Sequence, residues 1–162
     1  MPYTSIKISE SSITAWSRKK MFELGTQCAL IIIQRAQHGG DAGHGLDDRP
    51  HKTYKQSGGK GKSLGAYSAS HGKIRSEGGK YNRIKIGGGL PINRVTLSVI
   101  GQMFRQFRAL NTSAKKFSIT LKPTGGSAKY AGHVNNRRPW IGFSPKDQDK
   151  IRNVFRAIWV QR

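Results

Sequence analysis

Several short stretches of this 162-residue chain gather residue types that do chemistry. Gly58-Gly59-Lys60-Gly61-Lys62-Ser63 has the glycines, lysine and hydroxyl of a phosphate-cradling loop. That loop also needs a glycine five residues before Gly61, an apolar strand ahead of it and a helix behind it. Gln56 stands at the first position and neither flanking pattern is present, so a flexible basic loop is the better reading. His38, Asp41, His44, Asp47, Asp48 and His51 are all metal-ligating types. Their spacings fit no zinc or calcium loop, and no helical period holds them in register. Cys28 sits in an apolar helical run, with no His or Asn tied to it by a local pattern. This predicts a small core residue rather than a nucleophile. Asp147 and Asp149, two apart on a helical pattern, point in different directions and do not pair for acid–base work. No catalytic residue, cofactor or metal ligand is assigned, and the chain reads as a non-enzyme.

What remains is charge. Lys and Arg number 29 against 8 Asp and Glu, a formal net charge of +21. The natural partners of such a chain are polyanions or acidic protein surfaces. Lys73, Arg75, Lys80, Arg83 and Lys85 interleave with Tyr67, Ile74, Tyr81, Ile84 and Ile86. That mixture suits a phosphate backbone or an acidic groove. Arg137 and Arg138 come second as contact residues. The plain alternative for each is a solvated charge. A single cysteine excludes an intrachain disulfide framework. The apolar run at 28–33 is too short to span a bilayer, and the N-terminus lacks a basic-then-apolar leader. The expectation is a soluble protein made in the cytoplasm, with no membrane partner.

The elements that would position these residues follow from hydrophobic spacing. Residues 3–9 alternate as a short strand, with Tyr3, Ser5 and Lys7 on one side and Thr4, Ile6 and Ile8 on the other; it would serve as an edge or as an arm to a neighbour. Ser11 or Ser12 offers an N-cap for a long helix running to about Gln37. Ile13, Trp16, Met21, Leu24, Cys28, Ile31 and Ile32 form its apolar stripe, and Gly39-Gly40 stops it. From residue 38 to 85 the composition shifts to Gly, Ser, His and Lys, too poor in large apolar residues to fold alone. This predicts one domain over 1–162, with residues 38–89 as an extended basic loop or arm ordered by other chains. Val95, Leu97 and Val99 alternate, and Ile100, Met103, Phe104 and Phe107 then take helical spacing. A turn is expected at Asn111 to Ser113. The clearest strand is 116–122, with Phe117, Ile119 and Leu121 inward. Ala128 to His133 reads as a short helix. Trp140, Ile141 and Phe143 read as a short buried strand. Ser144 caps a last helix, with Pro145 at its first position and Asp147 returning the capping contact. Ile151, Val154, Phe155, Ile158 and Trp159 form the apolar face of that helix.

Three fragments then line up with a known family. They are Tyr67-Ser68-Ala69-Ser70-His71 with Lys73 and Arg75; Val95-Thr96-Leu97 with Gly101-Gln102-Met103; and Tyr130-Ala131-Gly132-His133 followed by Arg138-Pro139-Trp140-Ile141-Gly142-Phe143-Ser144. In this order they resemble the tailed-bacteriophage neck proteins known as tail-completion, head-tail joining or virion-morphogenesis proteins, over roughly the C-terminal 100 residues. Thr96 stands where the family often has Asp. The resemblance implies an α+β fold in which an N-terminal and a C-terminal helix pack on a small, mostly antiparallel sheet. It further implies a homo-oligomeric ring at the head-tail junction of the virion, assembled in the host cytoplasm. The expected neighbours are portal or adaptor proteins and tail or tail-terminator proteins, with non-specific contact to DNA in the channel. A competing reading is a ribosomal-type RNA-binding protein, which also combines high charge, a Gly/Lys-rich extension and a small α+β core. A nuclease is the weakest reading, because no triad, carboxylate pair or metal constellation is present.

Overall fold

In the computed structural model, the residues described are 4–7, 18–38, 43–81, 84–97, 102–113 and 118–160. The chain is an α+β protein of helices and small antiparallel sheets. Strand β1 (Thr4–Lys7) forms the edge of a three-stranded sheet whose order is β1, β7 (Ser118–Pro123), β6 (Phe107–Ser113). Thr4 lies opposite Leu121 and Lys7 opposite Ser118, so the N-terminal strand pairs within its own chain. The expected strand at 116–122 is observed as β7, and Leu121 is fully buried. The expected helical course through Phe107 is not observed. A short helix α3 (Gln102–Arg105) gives way to β6, which pairs Phe107 with Pro123 and Ala109 with Leu121. The segment expected to turn at 111–113 therefore belongs to a strand. The cause is cross-strand pairing: β7 supplies a ladder that local spacing cannot anticipate.

Helix α1 (Arg18–His38) lies across β6 and β7, and helix α5 (Pro145–Val160) packs against α1. The N-cap expected near Ser11 or Ser12 lies outside the described residues. Met21, Leu24, Cys28, Ile32 and Ala36 recur at three- and four-residue spacing and are buried along one stripe. They meet Met103, Phe104, Phe107, Leu121, Trp140 and Ile141 in one core. Trp140 is fully buried, and the rings of Phe104 and Phe107 lie 5.1 and 5.2 Å from it. Burying each such large apolar side chain contributes roughly 1.5–3 kcal/mol. Burial also pushes the Cys28 thiol up to about 12, with Asp147 adding to the shift, which fits an inert core residue.

The segment 38–89 departs from the expected extended arm. Its described part contains a two-residue hairpin of β2 (Ser63–Leu64) and β3 (Tyr67–Ser68), then helix α2 (Ala69–Glu77), then a second hairpin of β4 (Gly79–Tyr81) and β5 (Ile84–Ile86). Composition misleads here because the order comes from backbone pairing and a small apolar cluster of Ala66, Tyr67 and Val95 rather than from a large core. Gly65 makes the first turn at φ +59°, and a Cβ there would come within 2.2 Å of the Ile92 carbonyl. Ala66 N–H donates to that same carbonyl. Before the hairpins, the chain leaving α1 folds back on the helix end. His44 N–H donates to Arg35 O (2.8 Å) and Gly43 N–H to Val95 O (3.1 Å). A Cβ on Gly43 would fall 2.0 Å from the Ala36 carbonyl, so the close return requires glycine.

Helix α4 (Ser127–Arg137) extends the expected short helix at both ends. The chain then crosses to α5 through residues 138–144, which form no strand despite the apolar Trp140, Ile141 and Phe143. Their backbone partners are side chains instead of a ladder. Asn135 Oδ1 accepts from Trp140 N–H (2.9 Å) and Ile141 N–H (2.8 Å), and Arg35 donates to the Trp140 and Gly142 carbonyls.

Candidate functional site

Two polar constellations organise the surface that the three motif fragments build. The first anchors the 138–147 segment. Ser144 Oγ accepts from Asp147 N–H (3.1 Å) and Asp147 Oδ2 accepts from Ser144 N–H (3.1 Å), the reciprocal cap expected at the start of α5. The same carboxylate oxygen accepts from Arg35 Nη1 at 2.7 Å, and the two side chains are 1% and 3% exposed. Burial pushes the Asp147 carboxyl up and the Arg35 guanidinium down, and their mutual attraction opposes both shifts. Desolvation thus works against a pair that short hydrogen bonds hold in place. Asp48, at φ +57°, adds a second carboxylate that accepts from Lys146 N–H (3.2 Å). Burial alone would raise the Asp48 carboxyl, but hydrogen bonds from Ser144 and Lys146, with the Lys146 and Arg35 charges, hold it below its ordinary value.

The second constellation joins the other two fragments. Tyr67 hydroxyl accepts from Thr96 N–H (2.9 Å) and lies 3.1 Å from Thr96 O, to which it donates. Arg75 is fully buried on α2. Its Nε donates to Pro91 O (3.1 Å), its Nη2 donates to Thr96 Oγ1 (2.9 Å), and its guanidinium covers the Tyr67 ring at 4.4 Å. Burial lowers the Arg75 guanidinium from its usual value, and Tyr67 opposes that shift. The expectation that Arg75 reaches out to an anion is therefore corrected. Its charge is spent inside the fold, where it ties α2 to the 91–96 segment.

The remaining sequence-picked cations are dispersed. Lys73 is exposed on α2, 3.8 Å from the exposed Glu77. Lys80 and Lys85 are exposed and face each other directly across the β4–β5 hairpin. Like charges so placed repel, which suits an anion between them more than a bare hairpin. Arg83 lies outside the described residues. Arg137 is exposed at the end of α4, and Arg138 is half-buried one residue on. Arg138 Nε donates to Lys52 O (3.2 Å), 86 positions earlier in the chain.

That contact closes the floor of a cleft. A cavity of about 800 Å³ opens between the turn at 52–59, the start of α2 and the end of α4, lined by Lys52, Tyr54, Gln56, Ser57, Gly58, Gly59, Tyr67, Ser68, His71, Arg137 and Arg138. A second, of about 450 Å³, lies beside it and shares Lys52, Arg137 and Arg138 as a common wall. No acidic residue lines the larger cavity among the described residues. Burial, with Arg75 and Arg138 nearby, lowers the His71 imidazole from its ordinary value. Burial likewise lowers the Arg138 guanidinium, opposed chiefly by Tyr67. In the wall of the smaller cavity, His51 is buried and pushed down to about 4 by burial and by the Arg138 charge. Lys52 and Tyr54 were missed by the sequence reading. The one local signal was the basic-aromatic run Lys52-Thr53-Tyr54-Lys55, within a stretch that composition alone marks as loop.

The Gly58 to Ser63 stretch shows no phosphate-loop geometry. Strand β2 follows it instead of a helix, and the Tyr54 ring packs on Gly59 while its hydroxyl accepts from Gly61 N–H (3.2 Å). Among the described residues, no three His, Cys, Asp or Glu side chains converge as metal ligands. No helix among them is long and apolar enough to cross a membrane. Fold and cleft together define an α+β protein with a cationic concavity at the junction of its motif fragments. Comparison with protein-family models, with curated proteins and with solved structures finds no match.

Proposed function

We propose that the chain is a structural subunit of a tailed-bacteriophage neck. It forms a homo-oligomeric ring at the head-tail junction, joins or completes the tail, and surrounds the DNA channel. The observation that carries this reading is that the three fragments of the resemblance, far apart in sequence, meet in one place. Tyr67 and Arg75 of the first hold Thr96 of the second, and Tyr67 and His71 share a cleft with Arg138 of the third. A shared order of short motifs is weak evidence when the motifs are scattered, and stronger when they form one surface.

Two further features fit a ring subunit. Phe22 (57% exposed) and Leu30 (44% exposed) lie two turns apart on the outward side of α1, where a neighbouring copy would cover them. The excess of cations gives a lumen that attracts phosphate without reading bases. Portal or adaptor proteins and tail or tail-terminator proteins are the partners on either side of the ring, and Lys73, Lys80, Lys85, Arg137 and Arg138 are among its exposed or half-exposed cations. The reading is tested by pulling a tagged copy from infected cells. Recovery of head and tail components that survives ribonuclease treatment is the expected result. Recovery of ribosomal RNA and its release by ribonuclease would replace this reading with the RNA-binding one.

A further inference from the structure

Resting on the neck reading, we propose that the cleft between the 52–59 turn, the start of α2 and the end of α4 is where this chain grips the phosphate backbone of nucleic acid, with Arg138 as the central contact. Three permanent cations, Lys52, Arg137 and Arg138, stand in the wall common to two adjoining cavities of about 800 and 450 Å³. None of them is in an ion pair among the described residues. The Nε–H···O bond to Lys52 fixes the plane of the Arg138 guanidinium, and its two terminal nitrogens make no hydrogen bond among the described residues. A planar fork with two open donors matches two phosphate oxygens.

The walls decide what kind of polyanion fits. Both tyrosines are already engaged, one face of Tyr67 by Arg75 and the Tyr54 ring by Gly59. Neither is a free platform for a base, so the contact is with the sugar-phosphate chain and is blind to sequence and strandedness. Two contiguous cavities with shared cations make a track, which suits regularly spaced anions; Asp47 lines the smaller cavity, so the larger one, with no acidic residue among its lining, is the main phosphate seat. An acidic peptide would also seek main-chain hydrogen bonds along a strand edge, and the 52–59 segment is a turn rather than a strand. Its backbone is satisfied internally, by Ser57 N–H to Thr53 O and Gly59 N–H to Tyr54 O.

The test is fluorescence anisotropy of a labelled DNA duplex and of a single strand of the same length, titrated with the full chain across a salt series. The cleft variant is K52Q/R137Q/R138Q. The charge-matched control is K129Q/K150Q/R156Q, which removes three exposed cations that line neither cavity. Each lost phosphate contact lowers the slope of log affinity against log salt by about 0.9, or roughly fivefold in affinity at 0.15 M salt. The cleft variant should therefore lose about 2.7 in slope and roughly a hundredfold in affinity on the duplex, and about 2.1 in slope and roughly fiftyfold on the single strand, where each contact counts for about 0.7. The control should lose less than about one unit of slope. If the triple variant is poorly folded, K52Q/R137Q, with both side chains exposed, should lose about 1.8, and R138K should weaken binding while keeping the charge. Equal losses for cleft and control variants, a strong preference for single strands, or displacement by polyglutamate at matched charge would each overturn the assignment. Oligomeric state measured on the same samples separates the two ideas. Rings that persist while the cleft variant binds like wild type would sink the cleft and leave the neck reading standing. A slope change with no ring would do the reverse.

Discussion

Removing Asp147 should show how strongly the motif segment is anchored. The carboxylate is 1% exposed and accepts from two donors, Arg35 Nη1 at 2.7 Å and Ser144 N–H at 3.1 Å, and through them it holds the start of α5. In D147A the Arg35 charge stays buried with only the Trp140 and Gly142 carbonyls as acceptors. Orphaning one member of a buried pair costs about 3–5 kcal/mol, and losing the cap adds about 1 kcal/mol. The expected loss is about 5 kcal/mol, a large share of the roughly 5–15 kcal/mol typical of a domain. R35M removes the donor and leaves an uncompensated carboxylate, and should cost about 3 kcal/mol or more. In R35M/D147A no charge is left unpaired, so the double variant should cost about 1 kcal/mol, the lost cap, rather than the sum of about 8. D147N keeps an acceptor for Ser144 N–H but carries no charge, and separates the cap from the ion pair. Urea denaturation at constant slope reads all four values. A D147A loss below about 1 kcal/mol, or single-variant losses that simply add, would refute this anchoring role of the Arg35–Asp147 pair.

Stability should also depend on pH through His51. Its folded pKa of about 4 lies below the unfolded value near 6.5, so the unfolded chain binds the extra proton. Its contribution is therefore complete above pH 6.5 and is lost as pH falls toward 4, by up to about 3 kcal/mol. His71, lowered in the same direction, adds to the trend. Denaturation midpoints between pH 7 and 4.5 check this, and His51→Gln should flatten the profile; an unchanged profile would count against it. Arg75→Met should destabilise the fold by about 2–4 kcal/mol, through loss of its bonds to Pro91 O and Thr96 Oγ1. Thermal melts would register that loss, and a melting point equal to wild type would contradict the buried role. Phe22→Ser with Leu30→Ser should leave the melting point near wild type while lowering oligomer mass in native mass spectrometry. Oligomers that persist would move the subunit interface elsewhere.

The parts of this fold legible in sequence were those set by local chemistry. The Ser144 and Asp147 cap is an i, i+3 relation, the α1 stripe is a helical period, and β7 alternates cleanly. What was not legible depended on distant partners. Phe107 follows Met103 and Phe104 at helical spacing, but β7 draws it into a strand. Trp140 and Ile141 look like strand residues, yet Asn135 and Arg35 supply their backbone partners. Arg75 has the composition of a surface cation and becomes a buried tie, because Pro91, Thr96 and Tyr67 surround it. The cleft could not be found by scanning, since it joins Lys52 to Arg138 across 86 positions.

The most direct test is the assembled form of the purified chain, imaged by electron microscopy with and without duplex DNA. Closed rings with an axial opening, made more numerous by DNA that offsets the +21 charge of each copy, are the predicted result. Particles that remain single copies at every protein concentration, in both conditions, would contradict it.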